Sequence, residues 1–138
     1  VPQIEILTLA NHAEVQNGLL YLMGVGWDTV TRSYKEGAKP QPQHFSIAVS
    51  VLVSWAEHNQ RHEMVISVED EDGHHKLMEA SANIEVGRPP GKVPGSDSRS
   101  PLVVTGILQF PKPGGYRVRA TIGEEQRDYA FRVIDKVN

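Results

Sequence analysis

Apolar and polar residues alternate with a period of two through most of this chain. Phe45, Ile47, Val49, Val51, Val53 and Trp55 share one parity, while Ser46, Ala48, Ser50 and Ser54 share the other. Successive side chains of a strand point to opposite faces, so such a segment is a strand with one buried face. The pattern recurs at Met64, Ile66 and Val68, and again at Met78, Ala80, Ala82, Ile84 and Val86. It returns at Tyr116, Val118, Ala120 and Ile122, then at Tyr129, Phe131 and Val133. Residues 4–10, 19–25 and 102–110 are apolar on both parities, which predicts strands buried on both faces. About eight short strands with turn signals between them predict an all-β, single-domain antiparallel β-sandwich over residues 1–138, immunoglobulin-like or jelly-roll. Only residues 56–62 read as helix, for about two turns at most.

Turn residues set expected registers. Asn17-Gly18 suits a two-residue hairpin, whose type I′ turn needs positive φ at both positions. It pairs Val15 with Leu20 and Ala13 with Leu22. At Asp72-Gly73 a two-residue loop would oppose Ile66 to Glu79 and bury a carboxylate. A three-residue loop over 71–73 pairs Ile66 with Met78 instead, with Gly73 as the left-handed residue of a bulge. The last hairpin is expected to close around Glu124-Glu125, opposing Arg117 to Arg132. Residues 87–100 (GRPPGKVPGSDSRS) have no periodicity and carry three prolines, so they read as a long Pro/Gly loop.

Composition removes several classes of function. The chain has 138 residues and no cysteine, which excludes disulfides, thiolate metal sites and Cys nucleophiles. A net charge of -3 gives no global attraction to nucleic acid or to an anionic membrane. No apolar run approaches the roughly 20 residues of a membrane-spanning helix. The N-terminal residues lack the basic and apolar regions of a signal peptide, so the expected location is cytoplasmic.

Candidate chemistry is sparse. The acidic run at 69–72 fails as an EF-hand loop starting at Asp70, because positions 75 and 81 hold His75 and Ser81. His58 and His62 are four apart but no third metal ligand is specified, so neither a metal nor any other cofactor is expected. Gly95-Ser96-Asp97 lacks the second glycine of a nucleophile elbow, and Gly24-Val25-Gly26 is a fragment of a dinucleotide fingerprint with no helix after it. A close backbone approach beside Trp27 explains those glycines better. Trp55 extends an inward stripe, whereas Trp27 stands at a strand end, equally suited to core or to a partner. The least ordinary feature is basic: Arg117, Arg119 and Arg132 share an outward face, where like charges would repel. Acids on a neighbouring strand, Glu79 or Glu85, or an anionic partner would neutralise them.

The stretch at 9–30 (LANHAEVQNGLLYLMGVGWDTV), with 85–97 (EVGRPPGKVPGSD) and 116–124 (YRVRATIGE), resembles a family of small bacterial all-β proteins catalogued only as a domain of unknown function. The resemblance implies a bacterial, cytoplasmic β-sandwich and assigns no catalytic or ligand residue. The residues themselves favour a non-catalytic protein-binding or assembly domain, with a protein partner or self-association and no nucleic-acid or membrane ligand. Candidate contact residues are Arg117, Arg119, Arg132 and Trp27, together with Arg88, Lys92 and Arg99 of the long loop. The alternative is a jelly-roll that binds a small molecule or carbohydrate, with a metal-assisted enzyme as its catalytic form. It requires several of His12, His44, His58, His62, His74 and His75 to converge with carboxylates in one concave pocket.

Overall fold

In the computed structural model, which describes all 138 residues, the inward parities of the alternating segments face one another across two sheets. The strands are β1 (Gln3–Gln16), β2 (Leu19–Val25), β3 (Thr29–Tyr34), β4 (Gln43–Val53) and β5 (His62–Asp70). They continue with β6 (Lys76–Ile84), β7 (Ser98–Leu108), β8 (Gly114–Ile122) and β9 (Glu125–Val137). One sheet has the order β2-β1-β4-β7 and the other β3-β9-β8-β5-β6. Phe45, Ile47, Val49, Val51 and Val53 of β4 meet Met64, Ile66 and Val68 of β5 and Val118, Ala120 and Ile122 of β8 in one core. Phe110, Tyr116 and Phe131 fill one end of it, with ring centroids 4.8–6.0 Å apart. Burial of these side chains, at roughly 25 cal/mol per Å² of apolar surface, is the main force holding the sheets together.

The connectivity is immunoglobulin-like. β1 runs antiparallel to β4 in the first sheet, and β3 then runs parallel to β9 in the second. The chain thus switches sheets near its start, and the β1–β2 hairpin is inserted at the switch. β8, β5 and β6 extend the second sheet in the manner of a variable-type domain. The Tyr116 hydroxyl donates to the Lys112 carbonyl at 2.6 Å, the tyrosine corner of such sandwiches, and ties down the crossing between sheets. Burial holds that phenol above its ordinary pKa, which keeps it a donor.

The all-β sandwich is as the alternation predicts, but the strands number nine and the second sheet is mixed. The strand absent from the pattern is β3 (TVTRSY), whose inward positions hold Val30 and a buried Arg32. A charged residue at a core position breaks the apolar alternation. The helix expected over 56–62 is a single 3-10 turn at Trp55–Glu57, capped by the Ser54 and Glu57 side chains. β7 begins at Ser98, so the end of the stretch read as loop pairs with β4.

Hairpin registers divide by turn type. Asn17 and Gly18 have φ of 51° and 76°, and Val15 pairs with Leu20 and Ala13 with Leu22 as expected. The other two slide by two residues, which keeps the faces and changes the partners. At the β5–β6 turn the Asp70 carboxylate accepts from the His74 and His75 amides, drawing both histidines into a longer loop. Ile66 therefore pairs with Ala80. Gly73 does have positive φ, at 73°. The β8–β9 turn is Gly123-Glu124, because Gly123 readily adopts the required φ of 57°. Arg117 then lies opposite Ala130 and Arg119 opposite Asp128, and the expected Arg117–Arg132 opposition does not form.

Candidate functional site

On the outer face of the second sheet, Glu69 of β5 lies directly opposite Arg117 of β8, with Arg119 two residues along, opposite Ser67. The Glu69 carboxylate is 2.6 Å from Arg117 Nε and 3.5 Å from Arg119 Nη1, and the residue is buried. Arg119 also donates twice to Asp128, at 2.8 and 3.0 Å. That bond holds the Asp128 carboxyl below the ordinary carboxylate range and raises Arg119 above the usual guanidinium value. Arg132, largely exposed, has Glu71 at 4.0 Å. The cations are neutralised by Glu69, Asp128 and Glu71, rather than by Glu79 or Glu85, which engage Lys76 and Arg61. A shallow, open depression of about 360 Å³ lies over this network, lined in part by Asp28, Glu71, Arg117, Asp128 and Arg132. Its lining holds three carboxylates against two guanidiniums, so it has no preference for an anion.

At the β3 edge of that sheet, Arg32 and Asp135 are register partners on the parallel β3–β9 pair. Arg32 donates from Nε and Nη2 to both oxygens of Asp135, at 2.7 and 3.0 Å, and from Nη1 to the Phe110 carbonyl at 2.7 Å. Tyr34 donates its hydroxyl to the same carboxylate at 2.9 Å. The Arg32 bond, followed by the Tyr34 bond, holds the Asp135 carboxyl below its ordinary range, and the bond to Asp135 raises the Tyr34 phenol. This buried, bidentate arrangement joins three segments of chain and fixes the strand that switches sheets. Nothing in the local sequence pattern pairs residues 103 positions apart.

The remaining candidates are distributed. Trp27 is half-buried against the core and donates Nε1 to the Gly24 carbonyl at 3.0 Å. A Cβ at Gly24 would collide with the Asn11 side chain, the close approach that the glycine suggests. Trp55 lies just past β4, half-buried, with the Arg88 guanidinium 3.9 Å above its ring. Lys92 contacts Ser98 and donates to the Asp97 carbonyl, and Arg99 pairs with Glu5 at 2.7 Å. The three loop cations thus face three different places. His58 is buried beside Trp55, while the other histidines are spread over β1, β4, β5 and the β5–β6 turn. No three His, Asp or Glu side chains converge on a position that would hold a metal ion.

The strands read as buried on both faces are each open on one: Ile6 and Ile107 are 41% and 67% exposed, and the inserted hairpin departs furthest. Residues 19–25, apolar on both parities, are not a doubly buried strand. Leu20 and Leu22 pack with Ala10, Ala13, Ala48 and Val103 in a small second core, so the hairpin lies over the outer face of β4 and β7. The opposite parity is open: Leu19 is 60% exposed, Tyr21 49%, Met23 68% and Val25 52%. Four large apolar side chains therefore stand in one exposed row.

These features define an all-β sandwich domain of immunoglobulin-like strand order, with balanced ion-pair networks and one apolar hairpin face. The chain belongs to the family of unknown function DUF6941, whose model matches residues 5–134. No curated protein matches the sequence at significant similarity. Among solved structures it is similar to a β-glucuronidase from glycoside hydrolase family 2, with 15% identity and a TM-score of 0.45 over 70% of this chain and 10% of that one. It is also similar to the Pseudomonas fluorescens alkylpurine DNA glycosylase AlkC bound to DNA containing an abasic site analog. There the identity is 12% and the TM-score 0.47, over 96% of this chain and 30% of that one. The chain thus spans less than a third of either. No helix is long and apolar enough to cross a membrane.

Proposed function

We propose that this chain is a non-catalytic protein-binding or assembly domain. The supporting observation is the exposed row Leu19, Tyr21, Met23 and Val25 on the inserted hairpin. Isolated surface apolar residues are ordinary, but a contiguous row of them marks a contact surface. The bacterial, cytoplasmic setting implied by the family resemblance belongs to the same reading, as does a polypeptide ligand in preference to nucleic acid. The chain's net charge of -3 supports the latter preference.

A photo-crosslinking amino acid placed at Tyr21, with a second placed at Val93 as control, tests this in cells of the source organism. Val93 is 69% exposed in the loop between β6 and β7. The expected result is a discrete polypeptide adduct from position 21 and none from position 93. No adduct at 21, together with a small molecule or metal co-purifying in stoichiometric amount, would overturn the reading.

A further inference from the structure

The two sheets leave four edge strands: β2, β7, β3 and β6. An open edge presents unpaired backbone groups, and stable proteins discourage pairing there with charges, prolines or bulges. β7 carries Arg99 and Pro101, β6 carries Lys76 and Glu79, and β3 carries Arg32. β2, with the sequence LLYLMGV, carries neither a charge nor a proline. Its exposed face is also the apolar row. One strand thus combines an unprotected edge with an unprotected face.

The register of the β1–β2 hairpin fixes which groups are free. Around a two-residue turn Gln16 and Leu19 form a hydrogen-bonded pair, and such pairs alternate along an antiparallel ladder. Tyr21 and Met23 therefore bond inward to β1, while the N–H and C=O of Leu20 and Leu22 point off the open edge. A second β2, antiparallel about a two-fold axis at Leu22, would satisfy those groups reciprocally. The same axis sets Tyr21 opposite Met23 of the second copy, and Leu19 opposite its Val25. These fall in the closely spaced, non-hydrogen-bonded positions where cross-strand side chains contact best. Tyr21 and Met23 meet across the axis with no charge buried, while Gly24, at φ 70°, interrupts the extended run before Val25. His12 and Glu14, on the same face of β1 and 3.7 Å apart, stand as a polar rim.

We infer that this chain forms a two-fold homodimer by antiparallel β2–β2 pairing, which joins the two β2-β1-β4-β7 sheets edge to edge. The four exposed side chains offer at most roughly 500 Å² per copy, and edge pairing covers their flanks while leaving the outer face of the row in solvent, so the interface is smaller than the ~1,000 Å² of a specific one. The dimer is accordingly weak and reversible. This inference rests on the assembly reading above and names the partner.

Sedimentation of the intact chain between about 5 and 500 µM tests it. The expected result is a concentration-dependent monomer–dimer equilibrium. Met23→Lys places two like charges beside the axis and should weaken the dimer at least tenfold, with an unchanged melting temperature because the side chain is 68% exposed. Val93→Lys should leave the equilibrium as it is. Tyr21→Lys is a second variant that breaks the same pairing, in case the first misfolds. A chain monomeric throughout, or a dimer indifferent to both hairpin lysines, overturns the inference. In that event an adduct at position 21 to a different polypeptide would leave the assembly reading standing, whereas no adduct, with a small molecule or metal co-purifying in stoichiometric amount, would remove both.

Discussion

Glu69 shows how a single residue changes the meaning of its neighbours. Three arginines on one outward face read as an unbalanced cationic patch until a buried carboxylate is placed between two of them. Replacing Glu69 with Gln leaves Arg117 and Arg119 without that counter-charge in a partly desolvated place. The expected loss is about 1–3 kcal/mol, less than for a fully buried pair because both arginines keep some solvent. Arg117→Ser should also destabilise, since it strips Glu69 of its closest partner. Arg132→Ser, at an exposed position whose acid is 4.0 Å away, should stay within about 0.5 kcal/mol of the parent. Urea denaturation of the three variants gives this order directly. The cations were legible in the sequence. Their partner was not, because the acid faces them only once β5 and β8 pair.

At the scale of elements, β3 is held by chemistry that strand patterns do not encode. Its inward arginine is balanced across the parallel pair by Asp135, whose carboxyl is held low by Arg32 and then by Tyr34. A carboxyl with a folded pKa below its unfolded value contributes stability that is complete above the ordinary carboxylate range, near pH 4. That contribution is lost as pH falls through the lower folded value. Asp128, held low by Arg119, acts with the same sign. Melting temperature should therefore fall steadily from about pH 4.5 downward. Asp135→Asn should start lower at neutral pH and show a shallower acid slope. A parallel slope for that variant would mean that other carboxylates carry the acid response. Hairpin registers tell the same story. Asn17-Gly18 fixes its own turn, whereas the Asp70 carboxylate and Gly123 each shift the pairing by two residues.

For the molecule as a whole, stability comes from one apolar core closed by two sheets, and no cation-binding cluster takes part. EDTA should thus leave the melting temperature unchanged, and a drop of several degrees restored by one divalent ion would contradict this. Truncating Ile47, fully buried at the centre of β4, to Ala should cost about 2–5 kcal/mol in the same denaturation experiment. The sequence by itself determined the all-β class and the inward face of nearly every strand. Those follow from local rules, a period of two and the φ demands of Asn-Gly, that act within a few residues. Tertiary structure decided the rest: the parallel β3 held through Arg32, the neutralisation of the arginines by Glu69 and Asp128, and the exposure of β2. Each depends on which strand lies beside which, a matter of contacts far apart in the chain. A strand apolar on both sides has the same pattern whether its second face meets a protein layer or solvent.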